Sequence, residues 1–211
     1  MCVLKKGFTL AEVLITLLII GVIASIVIPG LIADTQNAEL KTTWKKTFAD
    51  LNQATKLIMM DNGGNLTGIS NFTSSYKTIL NSVKYCSSAS AEGCWNKANE
   101  SFYISGGVAG SPENSPDKSF AYPGLILNNG IFITSFTIDS TCQYNPPYKY
   151  CGWMAIDVNG LKRPNTVGKD IFAVWLLKDG IKAIGTQNTF VSTDDCATGT
   201  GWTCSAKYLY Q

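Results

Sequence analysis

The chain has 211 residues, of which 45% are hydrophobic and only 15% charged, with 17 basic against 15 acidic side chains and no histidine. So low a charged fraction excludes a disordered chain, and a net charge of +2 indicates no general attraction for nucleic acid. Without histidine there is no Ser-His-Asp or Cys-His catalysis, no His-ligated zinc and no imidazole proton shuttle.

Hydrophobicity is concentrated near the start. Residues 13–33 read VLITLLIIGVIASIVIPGLIA, a run of 21 without a charge. As an α-helix it would cover roughly 30 Å, the thickness of a bilayer core. The run exceeds the apolar core of a secretory signal peptide, and no Ala-x-Ala site follows it. Lys5 and Lys6 precede it and Asp34 follows, so the N-terminus is expected to be cytoplasmic and the chain beyond residue 34 outside. Glu12 sits at the edge of the span, where a carboxylate is unfavourable without a partner. Within it, Pro29 removes a helical hydrogen bond and Gly21 weakens the helix by about 1 kcal/mol relative to alanine.

Helical periodicity continues beyond the apolar run. Leu40, Trp44, Phe48, Leu51, Thr55 and Ile58 share one face, while Lys41, Lys45, Lys46, Asp50 and Asn52 occupy others. Asn62-Gly63-Gly64-Asn65 is a stop signal. A helix from about Phe8 to Asp61 would extend on the order of 80 Å. Its first half, apolar all round, belongs in lipid or another apolar setting, and its second half carries one stripe for a globular head.

The remainder reads as β-rich. Residues 124–128 and 131–138 flank Asn129-Gly130 as a hairpin, and residues 170–177 and 181–184 flank Lys178-Asp179-Gly180 as a second. Residues 153–158 form a further strand. An antiparallel sheet of four or five strands follows, covered by the Trp44 stripe. Residues 65–120, rich in Gly, Ser and Asn, are expected to connect helix and sheet, with a short helix near 74–84.

Of seven cysteines, Cys2 precedes the apolar run. The other six, Cys86, Cys94, Cys142, Cys151, Cys196 and Cys204, suit disulfides in an exported domain. Fifteen pairings are possible. The simplest is local, Cys86–Cys94, Cys142–Cys151 and Cys196–Cys204, each worth roughly 2.5–3 kcal/mol in the chain-entropy description. Zinc is not indicated, since no Cys-x-x-Cys and no histidine are present. Residues 157–170, DVNGLKRPNTVGKD, gather Asp and Asn oxygens of the kind calcium takes. The same residues are ordinary turn formers, and Lys162, Arg163 and Lys169 add opposing charge. Asp194-Asp195 is a weaker candidate.

The segment Lys5-Lys6-Gly7-Phe8-Thr9-Leu10-Ala11-Glu12, followed by the long apolar helix, resembles the cleavage and methylation motif of type IV prepilins. That family includes the pseudopilins of type II secretion and the competence pilins. The resemblance implies a leader 1–7, a transmembrane or filament-core helix 8–33, an amphipathic half 34–62 and an extracytoplasmic head 63–211. The implied fold is α+β and pilin-like: a long N-terminal α-helix packed on an antiparallel β-sheet head. A prepilin peptidase would cut between Gly7 and Phe8 and methylate the new amino group. Removal of Lys5 and Lys6 would leave 15 basic against 15 acidic residues. Glu12 would pair with the Phe8 ammonium of a neighbouring subunit and set the axial register, while Gly21 and Pro29 would let the helix stretch in a filament. The implied partners are copies of this chain, other pilin-like subunits, the inner-membrane assembly platform and the membrane itself. The Cys196–Cys204 loop is similar to the disulfide-closed terminal loop of many type IV pilins. Pseudopilins often hold calcium in a head loop, which implies Ca2+ at Asp157, Asn159 and Asp170. The rival to a filament subunit is a singly anchored extracytoplasmic binding domain that never polymerises. An exported enzyme has no visible nucleophile–base pair to support it.

Overall fold

The computed structural model describes residues 7, 9–88, 91, 93–94, 101–102, 108–110, 122–145, 147–187, 195–196 and 199–210. Two compact units divide the chain, Met1–Glu39 and Leu40–Gln211. One helix, α1 (Leu10–Asp61), supplies all but Gly7 and Thr9 of the described part of the first unit and the opening of the second.

In the first unit fifteen Leu, Ile and Val side chains between Leu10 and Ile32 are exposed. Each is worth about 1.5–3 kcal/mol when removed from water, so this surface must be covered from outside the unit. By length and composition α1 can cross a membrane. The helix runs without interruption through Gly21 and Pro29.

In the second unit α1 buries a stripe of Trp44, Thr47, Leu51, Ala54, Thr55 and Ile58, with Leu40 and Phe48 partly buried against the same core. The helix stops where Gly63 and Gly64 adopt φ of 72° and 90°, and the Gly64 N–H closes onto the Met59 carbonyl at 2.7 Å. Left-handed backbone of this kind favours glycine. Helix α2 (Phe72–Ile79) follows, capped by Asn71, whose side chain accepts from the Ser74 N–H at 3.0 Å.

Six strands, β1 (Ser82–Cys86), β4 (Gly124–Leu127), β5 (Phe132–Thr137), β6 (Tyr150–Asp157), β7 (Ile171–Leu177) and β8 (Gly180–Ala183), form one antiparallel sheet in the order β1-β4-β5-β6-β7-β8. Between the first two, β2 (Ser101–Phe102) and β3 (Val108–Gly110) pair as a separate ribbon. A short helix α3 (Cys204–Tyr210) ends the described chain. The sequence expectation of four or five strands is thus one short at the least. The additional strand is β1, which lies within the segment read as connection, and the helix near 74–84 ends at Ile79 to make room for it.

Every residue of β6 is buried, since both faces of the sheet are covered. Met154, Ile156, Phe172, Val174 and Leu176 cluster with the α1 stripe and with Phe72 and Tyr76 of α2. Trp153, Ala155, Ile171 and Ala173 cluster instead with Phe132, Val167 and Ile184, and Trp175 and Trp202 pack against them. Trp44 ties helix to sheet: its ring stacks on Phe172 at 4.6 Å and its Nε1–H donates to the Ser205 carbonyl at 2.9 Å. Ser205 Oγ in turn accepts from the Ala173 N–H of β7 at 2.9 Å. Gly152 sits where any Cβ would strike the Phe136 carbonyl and crowd Phe72. Three disulfides, Cys86–Cys94, Cys142–Cys151 and Cys196–Cys204, close local loops.

Candidate functional site

Among the described residues, the sites expected from the sequence lie at the start of α1 and between β6 and β7.

At the start of α1 the Thr9 N–H and hydroxyl both donate to Glu12 Oε2, each at 2.8 Å, and Thr9 Oγ1 accepts from the Glu12 N–H at 3.2 Å. This is a reciprocal capping box: Thr9 satisfies one orphan donor of the first turn and Glu12 reaches back to another. It also keeps a carboxylate at the positive end of the helix dipole. Within its own chain Glu12 is therefore already hydrogen-bonded, on a surface otherwise apolar. Gly7, just ahead of the cap, is exposed, and a side chain there would meet nothing within 4 Å. Phe8 lies outside the described residues, as do Lys5 and Lys6. Thr9 was missed as a functional residue by sequence reasoning, although Thr-x-x-Glu ahead of an apolar run is itself a capping signal.

Between β6 and β7, sheet register brings two carboxylates together. Asp157 ends β6 opposite Ile171, and the Val158 N–H donates to the Asp170 carbonyl at 2.9 Å. Both Asp side chains are fully buried. Asp170 accepts the Thr166 N–H at 2.6 Å on Oδ1 and the Asn165 N–H at 2.8 Å on Oδ2. Asp157 Oδ1 accepts the Asn159 N–H at 3.1 Å. Asp157 Oδ2, Asn159 Oδ1 and Asn165 Oδ1 are buried without a hydrogen-bond partner among the described residues. Burial, then the charge of Asp170, holds the Asp157 carboxyl well above the ordinary range, against the pull of the Asn159 and Gly160 N–H groups. Burial likewise raises Asp170, opposed by the N–H groups of Thr166 and Asn165.

Lys162, Arg163 and Lys169, which argued against a cation here, are all exposed. The loop is held from two sides: a Cβ on Gly160 would strike the Gly130 carbonyl, and one on Gly201 would strike the Val167 carbonyl. Two buried acids and three unpartnered amide or carboxylate oxygens in fourteen residues fit a hard divalent cation, whose preferred ligands are such oxygens. Among the described residues no group of three or more His, Cys, Asp or Glu is placed to hold a metal ion. A cation here would depend on amide oxygens as well as the two acids, and Asn165 joins the three residues expected from sequence.

Asp195 has a different occupation. Burial pushes its carboxyl up, but the Thr200 and Thr203 hydroxyls and the Thr203 N–H outweigh that and hold it low. Its Oδ1 accepts the Thr203 N–H at 2.9 Å, and its own N–H donates to Thr203 Oγ1 at 3.0 Å, bracing the Cys196–Cys204 loop. Asp194 lies outside the described residues.

The prokaryotic N-terminal methylation motif matches residues 4–28, the signature of type IV pilins and pseudopilins. No curated protein and no solved structure matches the chain.

Proposed function

We propose that the chain is the precursor of a structural subunit of a type IV pilus-like or type II secretion pseudopilus filament. The observation that carries this reading is the methylation motif at residues 4–28 set on a helix whose first unit exposes apolar side chains on all sides. In this account the chain is stored as a single-pass inner-membrane protein with Lys5 and Lys6 on the cytoplasmic side and the head outside. Prepilin peptidase cuts between Gly7 and Phe8 and methylates the new amino group, and the shortened helix enters a filament of like subunits on the assembly platform. Glu12 then has two uses. In the free subunit it completes the Thr9 cap. In the filament it accepts the Phe8 ammonium of a neighbour, which neutralises a charge otherwise costly in an apolar setting and fixes the axial register. Gly21 and Pro29 supply weak points at which the helix lengthens during packing. The role is structural and not enzymatic, in keeping with a chain that has no histidine.

The test is Glu12→Leu in cells. Export and membrane insertion should persist while the sheared filament fraction loses the subunit. A wild-type chain that never enters the sheared fraction, with Glu12→Leu silent beside it, would instead favour the singly anchored, non-polymerising domain.

We also propose a structural calcium ion in the 157–170 loop, supported by the orphaned oxygens there. Asp157, Asp170, Asn159 and Asn165 would hold it. Calcium would supply positive charge to two buried carboxylates and a coordination partner for oxygens that otherwise lack one. The residues themselves fix the loop: Asp170 gathers the Asn165 and Thr166 N–H groups, and Asn159 Nδ2 donates to the Arg163 carbonyl at 3.2 Å.

A further inference from the structure

A cleft of about 610 Å³ in the second unit gathers three lysines beside one tyrosine ring. Its lining includes Tyr148, Lys149, Leu177, Lys178, Asp179 and Lys182. The three lysines are exposed and none has an ion pair among the described residues. They come from separate stretches of chain. Lys178 and Asp179 form the β7–β8 turn, Lys182 lies on β8 opposite Trp175, and Lys149 immediately precedes β6.

Tyr148 is the ring that lines the cleft, and it is backed by two more rings outside the lining. Tyr148 lies on Tyr150 at 5.8 Å and 14°, and Tyr150 lies on Trp175 at 4.2 Å and 22°. Beside it, Tyr144, Asn145, Tyr150 and Trp175 line a smaller cavity of about 280 Å³. The Trp175 indole N–H is buried with no acceptor among the described residues.

The segment that carries the tyrosines is held in an unusual conformation. Cys142, Asn145 and Lys149 have φ of 55°, 55° and 58°. Non-glycine residues stay in that region only where their surroundings over-determine them, and such residues cluster at ligand sites. Here the constraints are the Cys142–Cys151 disulfide and two backbone bonds, Tyr150 N–H to Tyr144 O and Tyr148 N–H to Asn145 O, both 3.0 Å. The Lys178 carbonyl is fixed as well, by the Leu66 N–H at 2.9 Å. The cleft is thus preformed, which lowers the cost of binding.

We propose that this cleft binds an acidic oligosaccharide, one bearing uronate or a similar sugar carboxylate. The apolar C–H face of a sugar ring suits the half-buried Tyr148 ring and the Leu177 side chain. Its carboxylate suits the three ammonium groups, and its hydroxyls can donate to Asp179. The volume lies within the roughly 300–1,000 Å³ of preformed small-ligand sites. Single-stranded nucleic acid would use the same stacking and charge, but it needs a cationic groove that follows several nucleotides. The lysines here converge on one bounded cleft in a chain whose charges nearly balance.

The test uses the full chain in non-ionic detergent, titrated calorimetrically at low salt with trigalacturonate, maltotriose and an oligothymidylate. Trigalacturonate should bind saturably and at least about tenfold more tightly than neutral maltotriose, a gap of one charge-assisted contact or more. The double variant Lys178→Gln/Lys182→Gln, both at exposed positions, should weaken trigalacturonate by about tenfold or more while the melting temperature stays unchanged. Tyr148→Ala should weaken both sugars. Absence of saturable trigalacturonate binding, or binding unaffected by the double lysine variant, would overturn the proposal. Tighter binding of the oligothymidylate than of trigalacturonate would also overturn it, in favour of a nucleic-acid site.

Discussion

Between Leu10 and Ile32 the chain leaves its Leu, Ile and Val side chains exposed on every side, whereas from Trp44 onward α1 buries a single stripe. Both stretches are helix, and Trp44, Leu51 and Ile58 are no more hydrophobic than Leu14, Ile19 and Ile26. The difference lies in pattern. An apolar stripe against a polar background finds its partner within the head, where Trp44 lies on Phe172 and hydrogen-bonds to Ser205. The apolar surface of the first unit has no such partner among the described residues of that unit, and its covering must come from outside the unit. Glu12 is the one acid within the exposed stretch before Asp34, and the cap it makes with Thr9 is local.

That contrast breaks most visibly under paired substitutions. Trp44→Ala should lower the unfolding free energy of the detergent-solubilised chain by about 3–5 kcal/mol, the usual cost of deleting a large buried aromatic. Ile19→Ala should shift it by no more than about 0.5 kcal/mol, as at an exposed site. Denaturant midpoints followed by tryptophan fluorescence separate the two, and equal losses would contradict the division of labour.

A smaller loss is expected from Cys196→Ser with Cys204→Ser, about 2.5–3 kcal/mol for a loop of this length. The Asp195–Thr203 bonds remain to define the loop, so the double variant should fold with a lower melting temperature.

The β6–β7 loop sharpens the comparison through pH. Asp157 and Asp170 have folded pKa values raised above 3.8, chiefly by burial. The folded head therefore binds more protons than the unfolded chain in the window above 3.8, and stability must fall as pH rises through it. In chelator the melting temperature should drop from pH 4 to pH 7. Calcium at ten times its dissociation constant should restore about 1.4 kcal/mol at neutral pH. Asp157→Asn should flatten the chelator profile and abolish the calcium response. A wild-type melting temperature independent of both pH and calcium would remove the cation from the account.

The long helix, its stop at Asn62-Gly63-Gly64 and both hairpins are legible in the sequence because period and turn residues carry them. β1 is not. Its burial pattern leaves Val83, Lys84 and Tyr85 exposed, so an edge strand recruited by backbone pairing with β4 has no apolar alternation to read. The carboxylates at Asp157 and Asp170 stand out as oxygen-rich turn residues. Their burial, and the orphaned oxygen of Asn165, follow only from the register that sets β6 beside β7 and from Gly201 pressing on Val167. The lysine cleft is hidden for the same reason: Tyr148 and Lys149, just ahead of β6, meet Leu177, Lys178 and Lys182 through the pairing of β6 with β7 and of β7 with β8 and not through sequence spacing.

The central claim is that the apolar helix is presented by prepilin processing. The most direct measurement is intact mass and N-terminal sequencing of the protein recovered from its native cells. The account predicts a chain that begins at N-methylated Phe8. A chain that begins at unmodified Met1, or one cut beyond Ala24, would contradict it and leave an ordinary anchor or signal peptide in its place.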